Sequence, residues 1–152
     1  MTLKEKLSED MKRAMKGGDK VRLETLRTLR AALMEKEIDK RGSGQPVTPD
    51  DEMGVLTGAA KKRKESIEAF GRGGREDLVA QETAELRIIE EYLPRQMTRD
   101  EVVAVVRQIV VETGASSAAD FSKVMPLAMK ELKGKTEGKL VQEVVKGLLG
   151  GN

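Results

Sequence analysis

The chain of 152 residues contains no cysteine, no histidine and no tryptophan. Without cysteine it has no disulfide framework, no thiolate nucleophile and no cysteine-based metal site. Without histidine it lacks the most frequent acid–base catalyst and the most frequent metal ligand. These absences exclude histidine-dependent triads, zinc hydrolases and histidine-dependent phosphoryl transfer. Only a mechanism based on carboxylates or lysine stays open.

Aromatic residues are also scarce, with two phenylalanines and one tyrosine in the whole chain. Proteins that read single-stranded nucleic acid stack its bases on aromatic side chains, so this mode of recognition is disfavoured. Recognition of folded RNA through its shape and phosphates stays open. Charged residues make up 36% of the chain, beside abundant Ala, Leu and Met. This composition is typical of helical proteins rather than of β-sandwiches or barrels.

Long apolar runs are missing as well. No stretch approaches the roughly 20 apolar residues of a membrane-spanning helix. The first residues, Met1-Thr2-Leu3-Lys4-Glu5, have no apolar region and include an acid, unlike a signal or transit peptide. We therefore expect a cytoplasmic protein with no membrane partner. The net charge of +2 gives no global field, so any binding of nucleic acid must come from local patches.

Apolar residues recur at intervals of three and four in seven segments, which predicts seven helices. Typical end signals separate them. The signals are Gly17-Gly18 after the first helix, Asp19 before the second, Thr48-Pro49 before the third, Pro94 closing the fourth, Thr98 before the fifth and Ser117 before the sixth. The valine-rich fifth segment has strand-like composition, but its spacing and its cap favour a helix.

The composition of the chain changes near Pro94, from segments rich in Leu, Met and Arg to segments rich in Val. We therefore predict an all-α fold with two domains. Residues 1–94 form an N-terminal helical bundle of about four helices. Residues 95–152 form a small C-terminal tail domain of three helices, near the lower size limit for independent folding.

The turn between the last two predicted helices, Gly134-Lys135-Thr136-Glu137-Gly138-Lys139, concentrates polar chemistry. Its two glycines allow a sharp bend and a close approach to a partner, and Lys133 adds further positive charge. The next helix begins there, so free N–H groups and the positive end of the helix dipole favour an anion such as phosphate. An ordinary helix–helix turn with solvated lysines is the alternative interpretation.

A second basic region lies in the N-terminal half of the chain. It consists of Arg27, Arg30, Lys61, Lys62, Arg63 and Lys64. Four consecutive charges wrap around a helix and do not form one patch, so a solvated helix face is the alternative. Arg22 falls in the same sector of its helix as Leu26. We therefore expect it to pair with a carboxylate from another helix, because an unpaired buried charge is costly.

Motifs for catalysis are absent from the sequence. The acidic pairs lie mostly at helix starts, where they complement the helix dipole. The chain contains neither a phosphate-binding Walker loop nor a dinucleotide-binding fingerprint. We therefore predict no catalytic residues, no cofactor and no metal site.

Several segments together resemble the YqeY family. They are residues 11–16 (MKRAMK), 19–23 (DKVRL), 62–67 (KRKESI), 74–78 (GREDL), 89–94 (IEEYLP), 132–135 (LKGK) and 138–141 (GKLV). The last two segments resemble the tail domain that this family shares with the B subunit of the tRNA-dependent amidotransferase. The resemblance covers nearly the whole chain and implies an N-terminal helical bundle followed by a three-helix tail.

In that amidotransferase the tail domain helps to hold the body of the tRNA, and a separate catalytic domain, absent here, activates the substrate. The resemblance therefore implies an accessory protein without its own catalytic centre, related to carbon–nitrogen ligases that use glutamine as the amido-N donor. The implied partners are tRNA, or a component of an amidotransferase or aminoacyl-tRNA synthetase. The implied RNA-binding residues are Lys123, Lys133, Gly134, Lys135, Gly138 and Lys139.

Two functions from other classes stay open beside this one. The chain could be a helical protein–protein interaction module whose basic turn docks on an acidic partner, or a stand-alone ligase.

Overall fold

The computed structural model describes residues 1–150. Within this range the backbone forms seven α-helices, one short 3-10 helix and no β-strand, so the all-α class is confirmed. The helices are α1 (Leu3–Gly17), α2 (Lys20–Gly42), α3 (Pro49–Arg72), α4 (Glu76–Glu90), α5 (Arg99–Thr113), α6 (Phe121–Leu132) and α7 (Gly138–Leu148). The chain divides into two compact units, Met1–Leu93 and a second that begins at Pro94.

The first unit packs α1 to α4 around an aliphatic core. On α2 the residues Leu26, Leu29 and Leu33 lie at helical spacing and are at most 3% exposed. Each such side chain contributes about 1.5–3 kcal/mol when it is fully buried. The other helices add Leu7, Leu56, Ala60, Ile88 and Ile89 to the same cluster. Leucine and isoleucine thus supply the apolar area that aromatic residues provide in many other cores.

Local capping signals fix the helix ends of this unit where the sequence predicts them. Asp19 accepts a hydrogen bond from the backbone N–H of Arg22 at the start of α2. Thr48 and Asp51 form a reciprocal capping box at the start of α3. The N–H of Thr48 and then the Nζ of Lys40, at 3.0 Å, lower the pKa of Asp51 to about 2. The cap and a contact between helices therefore share one carboxylate.

Helix α4 ends earlier than the sequence predicts. The expected end is Pro94, but the helix stops at Glu90 and residues 91–93 form a turn. Proline disfavours the helical conformation for the residue before it, so Leu93 leaves the helix. The hydroxyl of Tyr92 donates a hydrogen bond to Asp10 of α1, and the ammonium of Lys6 lies 5.0 Å from the centre of the tyrosine ring. Side-chain contacts with α1 therefore hold the turn in place.

The predicted partner of Arg22 is found beyond the end of α4. Its Nη1 donates to Glu91 at 2.9 Å, and its Nε lies 3.4 Å from Asp19. The bond to Glu91 is the main cause that raises the pKa of Arg22. The prediction placed this carboxylate on another helix, whereas Glu91 lies just after the last residue of α4 and Asp19 lies just before α2. The pair is partly exposed, with 34% of the arginine side chain accessible, so it lies at the edge of the bundle rather than inside it.

A second charged cluster joins α3 to α4. The Nε of Arg63 lies 3.1 Å from Glu85 and 3.5 Å from Glu82, and all three side chains are less than 20% exposed. Burial, and then repulsion from Glu85, raise the pKa of Glu82, whereas Arg63 acts to lower it. One guanidinium therefore compensates two partly buried carboxylates.

The second unit packs α5, α6 and α7 around a smaller core in which valine predominates. On α5 the residues Val102 and Val106 are fully buried, which confirms that this β-branched segment is a helix. The other two helices add Val124, Ala128, Leu132, Val141, Val144 and Val145. Thr98 and Glu101 form the predicted capping box at the start of α5, and Gly114 in the left-handed conformation ends it.

The start of α6 differs from the prediction. Ser117 precedes a 3-10 helix, Ala118–Asp120, and α6 itself begins at Phe121. The backbone N–H groups of Ser116 and Ser117 both donate to Asp120, which lowers the pKa of this carboxyl. The aspartate thus stabilises a tight turn ahead of the helix.

We expect Arg63→Ala to lower the free energy of unfolding by about 1–3 kcal/mol at neutral pH, because two partly buried carboxylates lose their cation. Urea unfolding followed by circular dichroism measures this. The deficit should shrink as the pH falls towards the ordinary glutamate pKa of 4.5, because the raised pKa of Glu82 favours the protonated form in the folded state. The exposed neighbour Lys62, changed to alanine, is the control. An equal effect of both changes would contradict the role of the cluster.

Acid should weaken the second unit through Glu101. A bond from Arg95, and then one from the N–H of Thr98, lower its pKa from 4.5 to about 2. A lowered pKa adds stability above the unfolded value, and this stability is lost as the pH falls from about 4.5 to about 2. We expect Glu101→Gln and Arg95→Ala each to reduce the dependence of the melting temperature on pH in this window. An unchanged dependence in both variants would refute the assignment.

Candidate functional site: the lysine-rich turn between α6 and α7

The turn that joins α6 to α7 contains a backbone conformation that favours glycine. Helix α6 ends at Leu132, Lys133 follows it, and Gly134 then has a φ of 78°, in the left-handed region. Other residues adopt this region at a cost of about 1–2 kcal/mol. Gly134 is buried, so it does not itself offer an open surface to a partner.

Hydrogen bonds tie the same turn to the segment before α5. The carbonyl of Gly134 accepts from the side-chain amide of Gln96 at 2.8 Å, and the carbonyl of Lys135 accepts from the N–H of Met97 at 2.8 Å. The N–H of Lys135 donates to the carbonyl of Leu132. The backbone around the glycine is therefore engaged within the protein. Sequence reasoning missed Gln96 and Met97, because nothing in the local pattern links them to a turn almost 40 residues away.

The second glycine of the turn lies at the first position of α7. A Cβ atom at Gly138 would stand 3.3 Å from the Cε of Met129, so the absence of a side chain permits close packing of α6 on α7. Glu137 precedes the helix without a side-chain cap bond. Both glycines of the predicted phosphate-binding turn thus have a structural explanation.

Lysine side chains give this part of the molecule its charge. From residue 121 onward the sequence has six lysines and three glutamates. Lys133 and Lys139 are exposed, and Lys135 is half-buried. Lys123 is 71% exposed and lies 3.6 Å from Asp120. Of the three glutamates, Glu143 lies 3.7 Å from Arg99 of α5 and is therefore partly neutralised.

Several residues of the second predicted basic region form ion pairs and hydrogen bonds within the first unit, which the sequence did not predict. Arg63 belongs to the cluster with Glu82 and Glu85 and also reaches the hydroxyl of Thr28 at 3.5 Å. Arg27 bonds to Glu24, and Lys61 lies 4.0 Å from Glu65. The remaining members differ in exposure: Lys62 is exposed, whereas Arg30 and Lys64 are half-buried. An RNA contact by these residues stays a prediction.

Residues 1–150 bring together no group of three carboxylates that could hold a metal ion. Over the same residues, no single helix is both long and apolar enough to cross a membrane. As a pair bent by 94°, α5 and the segment Ala118–Leu132 meet the same test of length and composition.

We expect the two glycines to respond differently to alanine. Gly134→Ala should destabilise the protein by about 1–2 kcal/mol, because the left-handed conformation is strained for alanine. Gly138→Ala should be nearly neutral, because the flexible end of Met129 can shift and alanine favours a helix by up to about 1 kcal/mol. Urea unfolding and amide hydrogen exchange in α6 and α7 measure both changes. Equal losses would contradict the distinct roles.

Comparison with curated proteins finds relatives in fungi. The protein named "Altered inheritance of mitochondria protein 41, mitochondrial" of Eremothecium gossypii is 34% identical over 87 residues, which cover 57% of this chain and 46% of that protein. The protein of the same name from Kluyveromyces lactis is 33% identical over 139 residues, covering 88% and 68%. The one from Pyrenophora tritici-repentis is 30% identical over 150 residues, covering 92% and 79%. This chain thus spans about half the length of the first of these relatives.

These names contradict the cytoplasmic location predicted from the sequence, because the relatives are named as mitochondrial proteins. The prediction was wrong in its reasoning. It inferred a compartment from the composition of the first residues, and this composition does not determine where a protein works.

The model of one protein family, described as Yqey-like protein, matches residues 4–149. The match extends through both compact units and includes the turn between α6 and α7. It confirms the resemblance found in the sequence, and the chain belongs to the YqeY-like family.

Proposed function

We propose that this chain is an accessory protein that binds tRNA, has no catalytic centre of its own, and serves carbon–nitrogen ligation with glutamine as the amido-N donor. The observation that carries the proposal is the excess of lysine around the turn between α6 and α7, with six lysines and three glutamates from residue 121 onward. The proposed contacts are Lys123, Lys133, Lys135 and Lys139, with Gly134 and Gly138 shaping the turn.

The fixed backbone of the turn favours binding by shape. The bonds from Gln96 and Met97 hold the carbonyls of Gly134 and Lys135 in place. The lysines that flank these carbonyls are therefore attached to an ordered backbone. This backbone loses less entropy on binding than a flexible loop would. Contacts to phosphate need only such cations and N–H groups, and they position a protein on RNA without reading its sequence.

The contacts of two aromatic residues are consistent with binding of RNA through its phosphates. Phe121 packs against the core of the second unit, with the ammonium of Lys146 lying 6.0 Å from the centre of its ring. Tyr92 is engaged with Asp10 and Lys6 in the first unit. Both rings already have contacts within the protein, which favours binding of RNA through charge, and the affinity should then fall steeply with salt.

A protein partner is the second candidate for the same turn. Leu127 and Met129 of α6 are 46% and 40% exposed, and Met129 lies directly against Gly138. Apolar side chains beside lysines suit an acidic protein that also contributes an apolar contact. Such binding would survive treatment with nuclease.

We expect the double variant Lys133→Glu, Lys135→Glu to bind tRNA at least about tenfold more weakly. Loss of two phosphate contacts should also reduce the slope of log K against log salt by about 1.4–1.8. Fluorescence anisotropy with labelled tRNA over a series of salt concentrations measures both quantities.

The matched control is Lys12→Glu, Lys16→Glu, which makes the same change of charge on exposed lysines of α1. The control should keep the affinity and the salt slope of the unmodified protein. If both double variants bind tRNA as well as the unmodified chain does, the assignment of the turn is wrong. If the turn variant loses only nuclease-resistant binding to an acidic protein, the second candidate replaces the first.

A further inference from the structure

One side of α2 combines arginines with exposed apolar residues. Arg27, Arg30, Met34, Ile38 and Arg41 follow each other at intervals of three and four along this helix. At 100° per residue they fall within a sector of about 80°. We refer to these five residues as the α2 outer face.

The α2 outer face is open to solvent, although it lies on a helix that carries part of the core. Met34 is 48% exposed and Ile38 is 62% exposed, whereas Leu26, Leu29 and Leu33 of the same helix are at most 3% exposed. Arg27 and Arg41 are also exposed. Two large apolar side chains four residues apart therefore stand in water between arginines. Contact with another apolar surface would remove this exposed area from water.

Of the three arginines of this face, Arg27 is paired with Glu24, so Arg30 and Arg41 carry the positive charge that is left. No acid lies among its five residues, and the two nearest acids at its borders are already paired. Glu24 accepts from Arg27, and Glu37 lies 3.5 Å from Lys4 of α1. The Nε of Arg30 is buried and has no hydrogen-bond partner within residues 1–150. A carboxylate that binds the accessible nitrogens of a partly exposed arginine forms a charge-assisted hydrogen bond, which is about twice as strong as a neutral one.

We propose that the α2 outer face docks an acidic amphipathic helix of a partner protein, with two apolar residues at a spacing of four that contact Met34 and Ile38. Carboxylates on both sides of that apolar pair bind Arg27, Arg30 and Arg41. Amphipathic helices commonly bind a partner through apolar anchor residues at a spacing of three or four. Complementary charges on both sides of these anchors set the orientation of the bound helix. This surface belongs to the first unit, and the lysine-rich turn proposed to bind tRNA belongs to the second.

Charge and composition favour this occupant over three others. A second copy of this chain would place arginine against arginine, which disfavours self-association through this face. RNA would satisfy the arginines but leave Met34 and Ile38 in water. A membrane surface binds helices with a broad apolar face and aromatic anchors, whereas this face has only two large exposed apolar side chains.

The test uses the full chain and a synthetic helical peptide of about 18 residues, long enough to cover the α2 outer face. The peptide carries two leucines four apart between glutamates, and a peptide of the same composition in scrambled order is its control. Fluorescence anisotropy measures binding of each peptide, of labelled tRNA and of vesicles that contain phosphatidylserine. Sedimentation measures self-association.

We expect the ordered peptide to bind at micromolar concentration and the scrambled peptide to bind at least about tenfold more weakly. The variants Arg27→Glu, Arg41→Glu and Met34→Ser, Ile38→Ser should each weaken binding of the ordered peptide about tenfold. The double variant Lys12→Glu, Lys16→Glu on α1 should leave it unchanged. Circular dichroism confirms that each variant is folded.

Equal binding of both peptides, or no loss in either variant of α2, overturns the proposal. It is also overturned if these variants instead reduce binding of tRNA, binding of vesicles or self-association. The variant Lys133→Glu, Lys135→Glu should keep its affinity for the peptide. The docking of a helix and the binding of tRNA therefore succeed or fail independently.

Discussion

Two hydrogen bonds determine which groups of the lysine-rich turn can contact a partner. Gln96 and Met97, which precede α5, donate to the carbonyls of Gly134 and Lys135 at 2.8 Å. The left-handed conformation of Gly134 is what turns these carbonyls towards them, since its φ of 78° reverses the chain after α6. Because these two carbonyls are engaged inside the second unit, we look for contacts with a partner among the side chains that flank them. The lysines, rather than the glycines, are therefore the candidates for contact with a polyanion.

The first unit uses charge in a different way. Some of its carboxylates join different elements. Asp51 caps α3 and also binds Lys40 of α2, and Glu91, which follows α4, binds Arg22 of α2. Such pairs add little net stability where they are exposed, and they join elements that the apolar core already brings together. On the outer side of α2 the arginines lack such partners, apart from the exposed pair of Arg27 with Glu24. This contrast supports the proposed docking of a partner helix on that side.

Helix positions were predictable because their signals are local. Thr48 and Thr98 cap within four residues, and valines at intervals of three and four identify α5 as a helix despite their preference for strands. The prediction failed at the end of α4, where the sequence signal was Pro94 but the helix had already ended at Glu90. Contacts with α1 hold that turn, and such long-range contacts leave no periodic trace in the sequence.

The sequence by itself determined the all-α class, most of the helix ends and the family, because composition, periodicity and caps act over a few residues. It also determined what chemistry is missing, since a chain without cysteine and histidine cannot use their side chains. Only the tertiary structure decided which charged residues are engaged and which are open. Arg63 and Arg27 read alike in the sequence, yet one compensates two partly buried carboxylates and the other faces solvent. The physical reason is that burial and pairing depend on which helices come together, and that arrangement follows from packing of the whole core.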